Sequence, residues 1–503
     1  MRLLFASETH VPDVNGAAYF VARLGSELSA RGHEVHLVCP RAAHPRDAGS
    51  PAPVVHELPS LALPLYPGLR VARPDGLRSH VRRLLDEIAP DVVHVQNHFV
   101  VGRYVLREAR RAGLAVVATN HFLPENIVVH VPAPASLGGL LTRLLWRDLR
   151  SVYQAASLVT APTPFAAAVT AKHCCRTVLS VSCGVDTTVF APEVGCARFR
   201  ARYELRQGPT LLSVGRLDPE KHVDEVIRAF ALVRRHVDAQ LVVVGQGKQL
   251  DELRGLAVRE GVAEHVRFVG YVPDDLLPSA YAAADVYCHA GTAELQSIST
   301  MEAMASGKAV VAADAQALPL LVTDRVNGYL YPSGDVRALA ERLRVLLTDG
   351  ECRARMGEAS RRAVTRHSLQ RTVDAFEALY ERARSEYSVS LRPRRAPSAA
   401  GRRPPHPSSL AEAGVLATLT FALPIALLIS GSLSPEDLRV TVGLTVGASA
   451  IRLARLPPSG LRRIREPILR LAPPAARLRI GALLAAALVA VVVTALVAVN
   501  AWI

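Results

Sequence analysis

The sequence is poor in the features that mark disulfide-bonded or metal-binding proteins. Its seven cysteines form no Cys-x-x-Cys pair, and the adjacent Cys174 and Cys175 have poor geometry for an ordinary disulfide. His94 and His98 are not spaced from acidic or cysteine partners as metal ligands are, so we expect no metal. No secretory signal precedes the first predicted strand, Arg2–Ala6. We therefore expect the main part of the chain to be reduced and cytosolic.

Acidic residues are fewer than basic ones, which gives a net charge of +14 and a pI of about 9.8. Nucleic-acid binding would be the first interpretation, but no base-stacking pattern or known motif accompanies the arginines. Residues 391–503 hold fourteen arginines, no lysine and four acidic residues, a net charge of +10. Nearly all these arginines flank apolar segments. We therefore expect anionic membrane lipids as partners, and no nucleic acid.

The last quarter of the chain has the composition of a membrane region. Residues 386–409 are rich in Arg, Pro and Ser and predict a basic linker. Within 410–503, the segments 413–431 and 480–503 are long enough to cross a bilayer, whereas 440–451 is short and could cross or re-enter. The positive-inside rule favours three crossings over two and places both basic stretches in the cytoplasm. We predict a multi-pass protein of the cell membrane whose remaining domains are cytoplasmic.

The rest of the chain alternates apolar strands with helical patterns, which predicts an α/β fold. A chain of 503 residues with 50% hydrophobic content exceeds what one core usually covers. The alternation recurs in both halves. It therefore predicts two doubly wound parallel sheets.

Two glutamates, Glu294 and Glu302, stand eight positions apart in a stretch with loop and helix signals. The pattern predicts a loop over Gly291–Ser297, a helix from near Ser299, and its end at Gly307. Both glutamates would border a helix N-terminus, whose free N–H groups suit a phosphate. Alternatively, Ser299 and Glu302 form a capping box and have only a structural role.

Upstream, a predicted buried strand runs into a turn that carries two cations, Arg216 and Lys221. Arginine offers a planar fork for phosphate oxygens and lysine a mobile point charge, which a leaving diphosphate needs. The alternative is a solvated strand–helix turn. A second strand, Gln240–Gly245, ends in Gly-x-Gly. That pattern is weak evidence for a nucleotide, but it falls where an open α/β sheet presents its binding crevice.

The N-terminal half has polar residues at comparable places. Gly16 stands at the entrance of a helical pattern over Ala17–Arg31 and would let the backbone approach a phosphate. His94, His98 and His121 follow predicted strands, where a histidine can donate to a hydroxyl or stabilise developing charge. One of His94 and His98 is expected to be a core histidine with its hydrogen bonds satisfied.

These elements together resemble glycosyltransferase family 4, which consists of retaining enzymes with the GT-B fold. The Gly-Arg-Leu-x-x-Glu-Lys turn at 215–221, the Val-Gly-x-Gly strand end at 244–247 and the Glu-x7-Glu element at 294–302 occur in the family's order and spacing. The match continues through Asn327 and its following glycine. It covers most of the chain ahead of the predicted linker.

The resemblance implies a metal-independent enzyme that moves a hexose from a UDP- or GDP-sugar with retention of configuration. No Asp-x-Asp occurs in the sequence, which counts against the metal-dependent alternative fold. The nucleotide-sugar is a substrate, so no cofactor is expected. The implied domains are an acceptor-side Rossmann-like domain over 1–190, a nucleotide-sugar domain over 191–371 and a helix over 372–385 that crosses back, with a central cleft between the domains.

The resemblance also implies a role for each matching residue. Arg216 and Lys221 would hold the donor diphosphate, Glu302 the ribose hydroxyls and Glu294 the sugar, while His121 would face the reacting sugar. The predicted catalytic residues are His121, Arg216, Lys221 and Glu294. The predicted donor-binding residues are Gly16, Gly215, Arg216, Lys221, Gly245, Glu294, Ser297, Ile298 and Glu302.

The sequence departs from the family pattern at two places. Gln296 and Ser297 replace an aromatic–Gly pair, which leaves the identity of the sugar open, and Asn15 replaces one of two glycines. Anchoring at a bilayer and similarity to the family's glycolipid-forming members favour a lipid-linked acceptor. Alternatives are a small soluble acceptor, such as an inositol phosphate or a polysaccharide precursor, and an inactive glycosyltransferase-like scaffold.

Overall fold

The computed structural model describes residues 1–13, 15–42, 53–62, 70–73, 75–125 and 135–390. The predicted membrane segments at 413–431, 440–451 and 480–503, and the linker beyond 390, lie outside these residues. Within the described ranges, no helix is both long enough and apolar enough to span a bilayer.

The first half of the chain forms a seven-stranded parallel sheet with the strand order β3-β2-β1-β6-β7-β8-β9. The strands are β1 (Arg2–Ala6), β2 (Glu34–Pro40), β3 (Val54–Leu58), β6 (Val92–Val95), β7 (Ala115–Thr119), β8 (Leu158–Ala161) and β9 (Leu179–Ser180). Strands β4 (Ser60–Ala62) and β5 (Arg70–Ala72) form a separate pair. The helices are α1 (Gly16–Ala30), α2 (Leu77–Ile88), α3 (Val100–Arg111), α4 (Ala135–Tyr153) and α5 (Pro164–Cys174).

The second half forms a six-stranded parallel sheet with the order β12-β11-β10-β13-β14-β15. The strands are β10 (Thr210–Val214), β11 (Gln240–Val244), β12 (Val266–Gly270), β13 (Val286–His289), β14 (Ala309–Ala313) and β15 (Gly328–Tyr331). The helices are α6 (Ala197–Arg202), α7 (Val223–Arg234), α8 (Leu250–Arg259), α9 (Leu277–Ala283), α10 (Ile298–Ala305), α11 (Val336–Thr348) and α12 (Gly350–Val364).

The central strands are buried along their whole length, which explains their continuous apolar sequences. Every residue of β7, β11 and β14 is buried. Strands covered by helices on both faces have no solvent side, so they lack the alternation of a half-exposed strand. The two doubly wound parallel sheets predicted from the sequence are confirmed.

The last described helix, α13 (Leu369–Ser390), packs on the first sheet rather than the second. Its Val373, Phe376 and Tyr380 are fully buried in the apolar cluster that contains residues of β1, β2 and α1. Beside it, the backbone of Val185 accepts from Leu369 and donates to His367, both at 2.9 Å. The chain therefore passes between the two sheets twice, and the two passages are hydrogen-bonded together.

His94 is the core histidine expected from the sequence. Its Nδ1 lies 2.7 Å from the hydroxyl of Tyr380, and its Nε2 lies 2.7 Å from that of Thr119. Burial lowers its pKa to about 3, with a smaller contribution from His121. A neutral ring with both nitrogens engaged ties β6 to β7 and α13.

Candidate active site

A cavity of about 310 Å³ lies where the two sheets face each other. The last residues of β10, β11 and β13 line it, in agreement with the rule that open parallel sheets bind ligands at the carboxyl ends of their strands. All nine predicted donor-binding residues also line it: Gly16, Gly215, Arg216, Lys221, Gly245, Glu294, Ser297, Ile298 and Glu302. The structure thus brings the whole predicted set together, and the role of each residue toward a donor stays a prediction.

The entrance of α1 differs from the family pattern at Asn15, and the structure shows what that residue does. The Asn15 side chain accepts a hydrogen bond of 2.9 Å from the backbone N–H of Ala18 and caps the helix. Gly16 follows as the first helical residue, and a Cβ there would lie 3.4 Å from Cδ1 of Ile298. Asn15 therefore supplies a helix cap, and the glycine predicted to allow a close approach of phosphate is kept at the next position.

The Gly-x-Gly pattern after β11 has a packing reason of its own. Gly245 has φ of +135°, and a Cβ there would lie 1.8 Å from the carbonyl oxygen of Gly215. A Cβ on Gly247 would lie 2.3 Å from the carbonyl oxygen of Leu217. Two turns cross here at a distance that only glycine permits. Gly215 and Gly245, which meet at this crossing, both line the cavity.

Glu294 is a buried carboxylate held by two donors on one oxygen. Lys221, at the end of the short 3₁₀ turn Pro219–Lys221, donates from Nζ to Oε1 over 2.5 Å. The Nε2 atom of His289 lies 2.8 Å from the same oxygen. Burial alone would raise the pKa of Glu294, but the charges and hydrogen bonds of Lys221 and His289 outweigh it and hold that pKa well below its ordinary value. Glu294 is therefore ionised at neutral pH.

Arg216 lies on the turn after β10, as predicted, and is exposed at the edge of the cavity. It forms ion pairs with Asp218 at 2.5 Å and Glu220 at 3.1 Å. These acidic neighbours hold the guanidinium near the cavity without burying it. Arg216 and Lys221 both line the cavity, so a diphosphate bound there could contact both cations.

The helix that carries the second glutamate begins one residue earlier than predicted, at Ile298. Its cap is Ser297, whose hydroxyl accepts from the backbone N–H of Thr300 at 3.3 Å. The alternative in which Ser299 and Glu302 form a capping box is wrong. The Ser299 hydroxyl instead accepts from the hydroxyl of Tyr287 at 2.9 Å.

Glu302 points toward the first half of the chain. Its Oε1 accepts from Nη2 of Arg23 on α1 over 2.8 Å, and its Oε2 accepts from the hydroxyl of Tyr281 over 3.0 Å. Burial is the largest influence and raises the pKa of Glu302, while Arg23 and Tyr281 partly offset it. The two glutamates thus sit in different electrostatic surroundings within one cavity.

His121 follows β7 and lies half-buried beside α1. Its Nε2 lies 3.0 Å from Oε1 of Gln96, and its ring centroid lies 4.9 Å from that of Phe20. Burial lowers its pKa to about 4, so the ring is neutral at pH 7. Among the described residues, it is the one predicted catalytic residue that does not line the cavity.

Gln296, the departure from the family's aromatic residue, ties the loop before α10 to the chain that links the two sheets. Its Oε1 accepts from the backbone N–H of Cys183 at 2.7 Å, and its Nε2 donates to the Ser182 hydroxyl at 2.9 Å. The neighbouring carbonyl of Leu295 accepts from Thr163 at 2.8 Å. The loop that carries Glu294 is therefore fixed from the first half of the chain.

Sequence reasoning missed several residues of the cavity. His289 ends β13, so the strand-end rule that selected the other histidines could have found it. Tyr19 and Arg23 lie three and seven positions after Gly16, on the same face of α1, and helical spacing could have found them. Nothing in the sequence indicated Tyr281, which does not line the cavity but donates to Glu302, the carboxylate that also pairs with Arg23. The described ranges hold no group of three or more His, Cys, Asp or Glu side chains arranged to bind a metal ion.

Two solved structures share this architecture. Sucrose-phosphate synthase from Thermosynechococcus elongatus superposes with a TM-score of 0.64 at 20% identity, over 76% of this chain and 99% of that one. Anabaena HepE in complex with UDP and glucose superposes with a TM-score of 0.61 at 19% identity, over 76% and 100%. At these identities the likeness shows the fold alone. The chain has the GT-B-type glycosyltransferase fold with two Rossmann-like sheets.

Family comparisons then identify the enzyme more closely. Residues 14–189 match the family described as Glycosyltransferase Family 4, and residues 198–363 match Glycosyl transferases group 1. A GDP-mannose-dependent alpha-mannosyltransferase of Mycolicibacterium smegmatis is 31% identical over 385 residues, which cover 76% of this chain and 97% of that protein. This protein belongs to the group 1 and family 4 glycosyltransferases, and it is a hexosyltransferase.

Another relative acts on a lipid. The GDP-mannose-dependent alpha-(1-6)-phosphatidylinositol dimannoside mannosyltransferase of Mycobacterium tuberculosis is 29% identical over 330 residues, which cover 64% of this chain and 82% of that protein. The corresponding monomannoside mannosyltransferase is 38% identical over 191 residues, 36% of this chain and half of that protein.

Proposed function

We propose that this protein is a retaining mannosyltransferase that moves mannose from GDP-mannose to a lipid-linked acceptor of the phosphatidylinositol type. The predicted C-terminal membrane segments would hold it, as a multi-pass protein, at the cytoplasmic face of the cell membrane. The observation that carries the proposal is the ionised Glu294 held by Lys221 and His289 in a cavity with all nine predicted donor-binding residues. The relatives described above support the choice of GDP-mannose and of a lipid.

The leaving group is a nucleoside diphosphate, whose negative charge grows as the bond to the sugar breaks. Arg216 and Lys221 supply two cations to the lining of the cavity. The first turn of α10, at Ser297 and Ile298, supplies backbone N–H groups and the positive end of the helix dipole. Stabilisation of charge that appears only in the transition state lowers the barrier to transfer.

The sugar would be held by Glu294. Because Lys221 and His289 already donate to its Oε1, this carboxylate is a poor nucleophile and a good acceptor for sugar hydroxyls. We therefore infer that it orients the sugar while the acceptor hydroxyl approaches from the face that the diphosphate leaves. That approach keeps the configuration of the anomeric carbon. The cavity between the two sheets would exclude water from the reaction.

The test is a transfer assay with the purified full-length protein. GDP-mannose, GDP-glucose, UDP-glucose and UDP-galactose are each supplied with vesicles that contain phosphatidylinositol, or with soluble inositol phosphate. We expect labelled lipid from GDP-mannose, with an α-linkage by NMR. Product from UDP-sugars alone would overturn the donor assignment, and product only on inositol phosphate would favour the soluble-acceptor alternative. A β-linked product would exclude retention. If no donor is turned over although nucleotide binds, the scaffold alternative holds.

A further inference from the structure

One face of α1 lines the cavity. Gly16, Tyr19 and Arg23 lie three and four residues apart, so they form a single stripe on the helix, and all three line the cavity. Gly16 is next to Ile298, and Arg23 bonds to Glu302 one helical turn further along α10. The stripe thus extends from the residues predicted to meet the diphosphate to the residue predicted to meet the ribose.

Arg23 is held in place by its contacts, but only one of its two terminal nitrogens makes a hydrogen bond with the described residues. Its Nη2 donates to Oε1 of Glu302 over 2.8 Å, and its guanidinium lies 5.7 Å from the ring centroid of Tyr19 and 5.8 Å from that of Phe190. Its Nη1 is buried and has no hydrogen-bond partner among the described residues. A buried donor without an acceptor costs free energy, so a ligand that supplies an acceptor there is favoured.

The chemistry of the pair matches a diol. A carboxylate only accepts hydrogen bonds and a guanidinium only donates them, whereas each hydroxyl does both. We propose that Arg23 is a ribose-recognition residue of the donor site: the ribose diol donates to Glu302 and accepts from Nη1 of Arg23. This inference rests on the proposed function and on the predicted role of Glu302.

The surroundings of Glu302 support this arrangement. Burial is the largest influence and raises the pKa of Glu302, Arg23 and Tyr281 lower it, and the nearby Asp274 raises it. Arg23 therefore helps to keep the carboxyl ionised and able to accept from both hydroxyls. Arg23 uses one lone pair of Oε1 and Tyr281 uses one lone pair of Oε2. Each oxygen therefore keeps a lone pair that can accept from the diol.

Calorimetry with two nucleotides tests the inference without any sugar acceptor. GDP and 2′,3′-dideoxy-GDP are titrated into the full-length wild-type protein, Arg23→Gln and Arg23→Lys. We expect the wild type to prefer GDP and Arg23→Gln to reduce that preference by about 10-fold, the effect of one charge-assisted hydrogen bond. Arg23→Lys keeps the charge beside Glu302 but loses the planar fork, so its preference should fall between the two. Dideoxy-GDP should bind all three proteins almost equally.

Arg228→Gln is the matched control, because Arg228 pairs with Asp224 on the surface of α7. It should leave both affinities unchanged, and thermal melting checks that each variant is folded. An unchanged preference for GDP in Arg23→Gln overturns the inference. An equal loss of affinity for both nucleotides also overturns it, because Arg23 would then have only a structural role. Tighter GDP binding in Arg23→Gln also overturns it, because Arg23 would then compete with the ribose. A wild type that does not bind GDP would instead overturn the proposed function.

Discussion

Lys221 Nζ lies 2.5 Å from Oε1 of Glu294, although the two residues are 73 positions apart in the chain. The residue predicted to meet the diphosphate and the residue predicted to meet the sugar are therefore one ion pair. Their side chains are about 19% and 10% exposed, so solvent screens the pair only weakly. Replacement of the lysine should accordingly change the carboxylate as well as the charge that faces the diphosphate.

Lys221→Ala is expected to reduce sugar transfer by at least about 100-fold, because charge develops on the leaving diphosphate. Glu294 would also lose its cation, so its pKa would rise and the residual activity would fall as the pH is lowered. Steady-state rates over a pH series measure both effects. Arg216→Ala should cost a similar factor without the new pH dependence. Lys172→Ala, at an exposed position on α5, is the control, and unchanged turnover in Lys221→Ala would refute the assignment.

Replacing each glutamate by a neutral glutamine should distinguish the roles of Glu294 and Glu302. Glu302→Gln is expected chiefly to weaken nucleotide binding, because an amide is a poorer acceptor for ribose hydroxyls and no longer pairs with Arg23. Glu294→Gln should reduce transfer while GDP still binds. Calorimetry with GDP and the transfer assay measure the two quantities on each variant. The opposite pattern, with GDP affinity lost in Glu294→Gln and kept in Glu302→Gln, would mean that the roles are reversed.

The residues that line the site could be predicted from the sequence because the carboxyl ends of parallel strands lie at one edge of a sheet. Arg216 and Lys221 follow β10, and Glu294 follows β13, which is the neighbour of β10 in the second sheet, so the three residues meet in space. The pairing of side chains could not be predicted. Arg23 reaches Glu302 across 279 positions, and only the packing of one half of the chain on the other decides that contact.

The first residue of α10 is a second feature that sequence patterns alone did not predict correctly. Ser297 and Ser299 are equally good caps by residue type, and the capping-box spacing favoured the second. The structure selects Ser297 because Ser299 is occupied by Tyr287, which is twelve positions away in the chain. Local preference gave two choices, and a tertiary hydrogen bond decided between them.

Gln296→Ala should lower the free energy of unfolding by about 1–3 kcal/mol, because the buried N–H of Cys183 loses its acceptor. Urea denaturation followed by circular dichroism measures the change. Gln154→Ala, at an exposed position, should stay within about 0.5 kcal/mol of the wild type. Wild-type stability in Gln296→Ala would show that the hydrogen bonds of Gln296 to Ser182 and Cys183 do not contribute to the free energy of unfolding.

Acid should destabilise the fold through its buried neutral histidines. Burial is the main reason that the pKa of His98 is lowered from 6.5 to about 4, so the unfolded chain binds a proton that the folded chain excludes. Stability from this group is complete above its unfolded pKa and is lost as the pH falls toward 4, by at most about 1.4 kcal/mol per pH unit. His98→Phe fits the aromatic neighbours Phe99 and Phe122 and should give a shallower dependence of unfolding free energy on pH. His236→Gln, at an exposed site, should leave the wild-type slope, and an unchanged slope in His98→Phe would contradict the prediction.

A protein cut after Ser390 should still fold and bind GDP. The buried contacts of α13 with the first sheet come from Val373, Phe376, Tyr380 and Ala383, which all precede the cut. If the predicted membrane segments beyond it serve as an anchor, transfer to phosphatidylinositol in vesicles should fall, since the anchor raises the local concentration of enzyme at the bilayer. Transfer to phosphatidylinositol dispersed in detergent micelles should change little. Both rates are compared in the full-length and the cut protein. Equal loss on the two acceptor preparations would mean that the tail supports the catalytic fold, and no loss on vesicles would remove the argument for a membrane anchor.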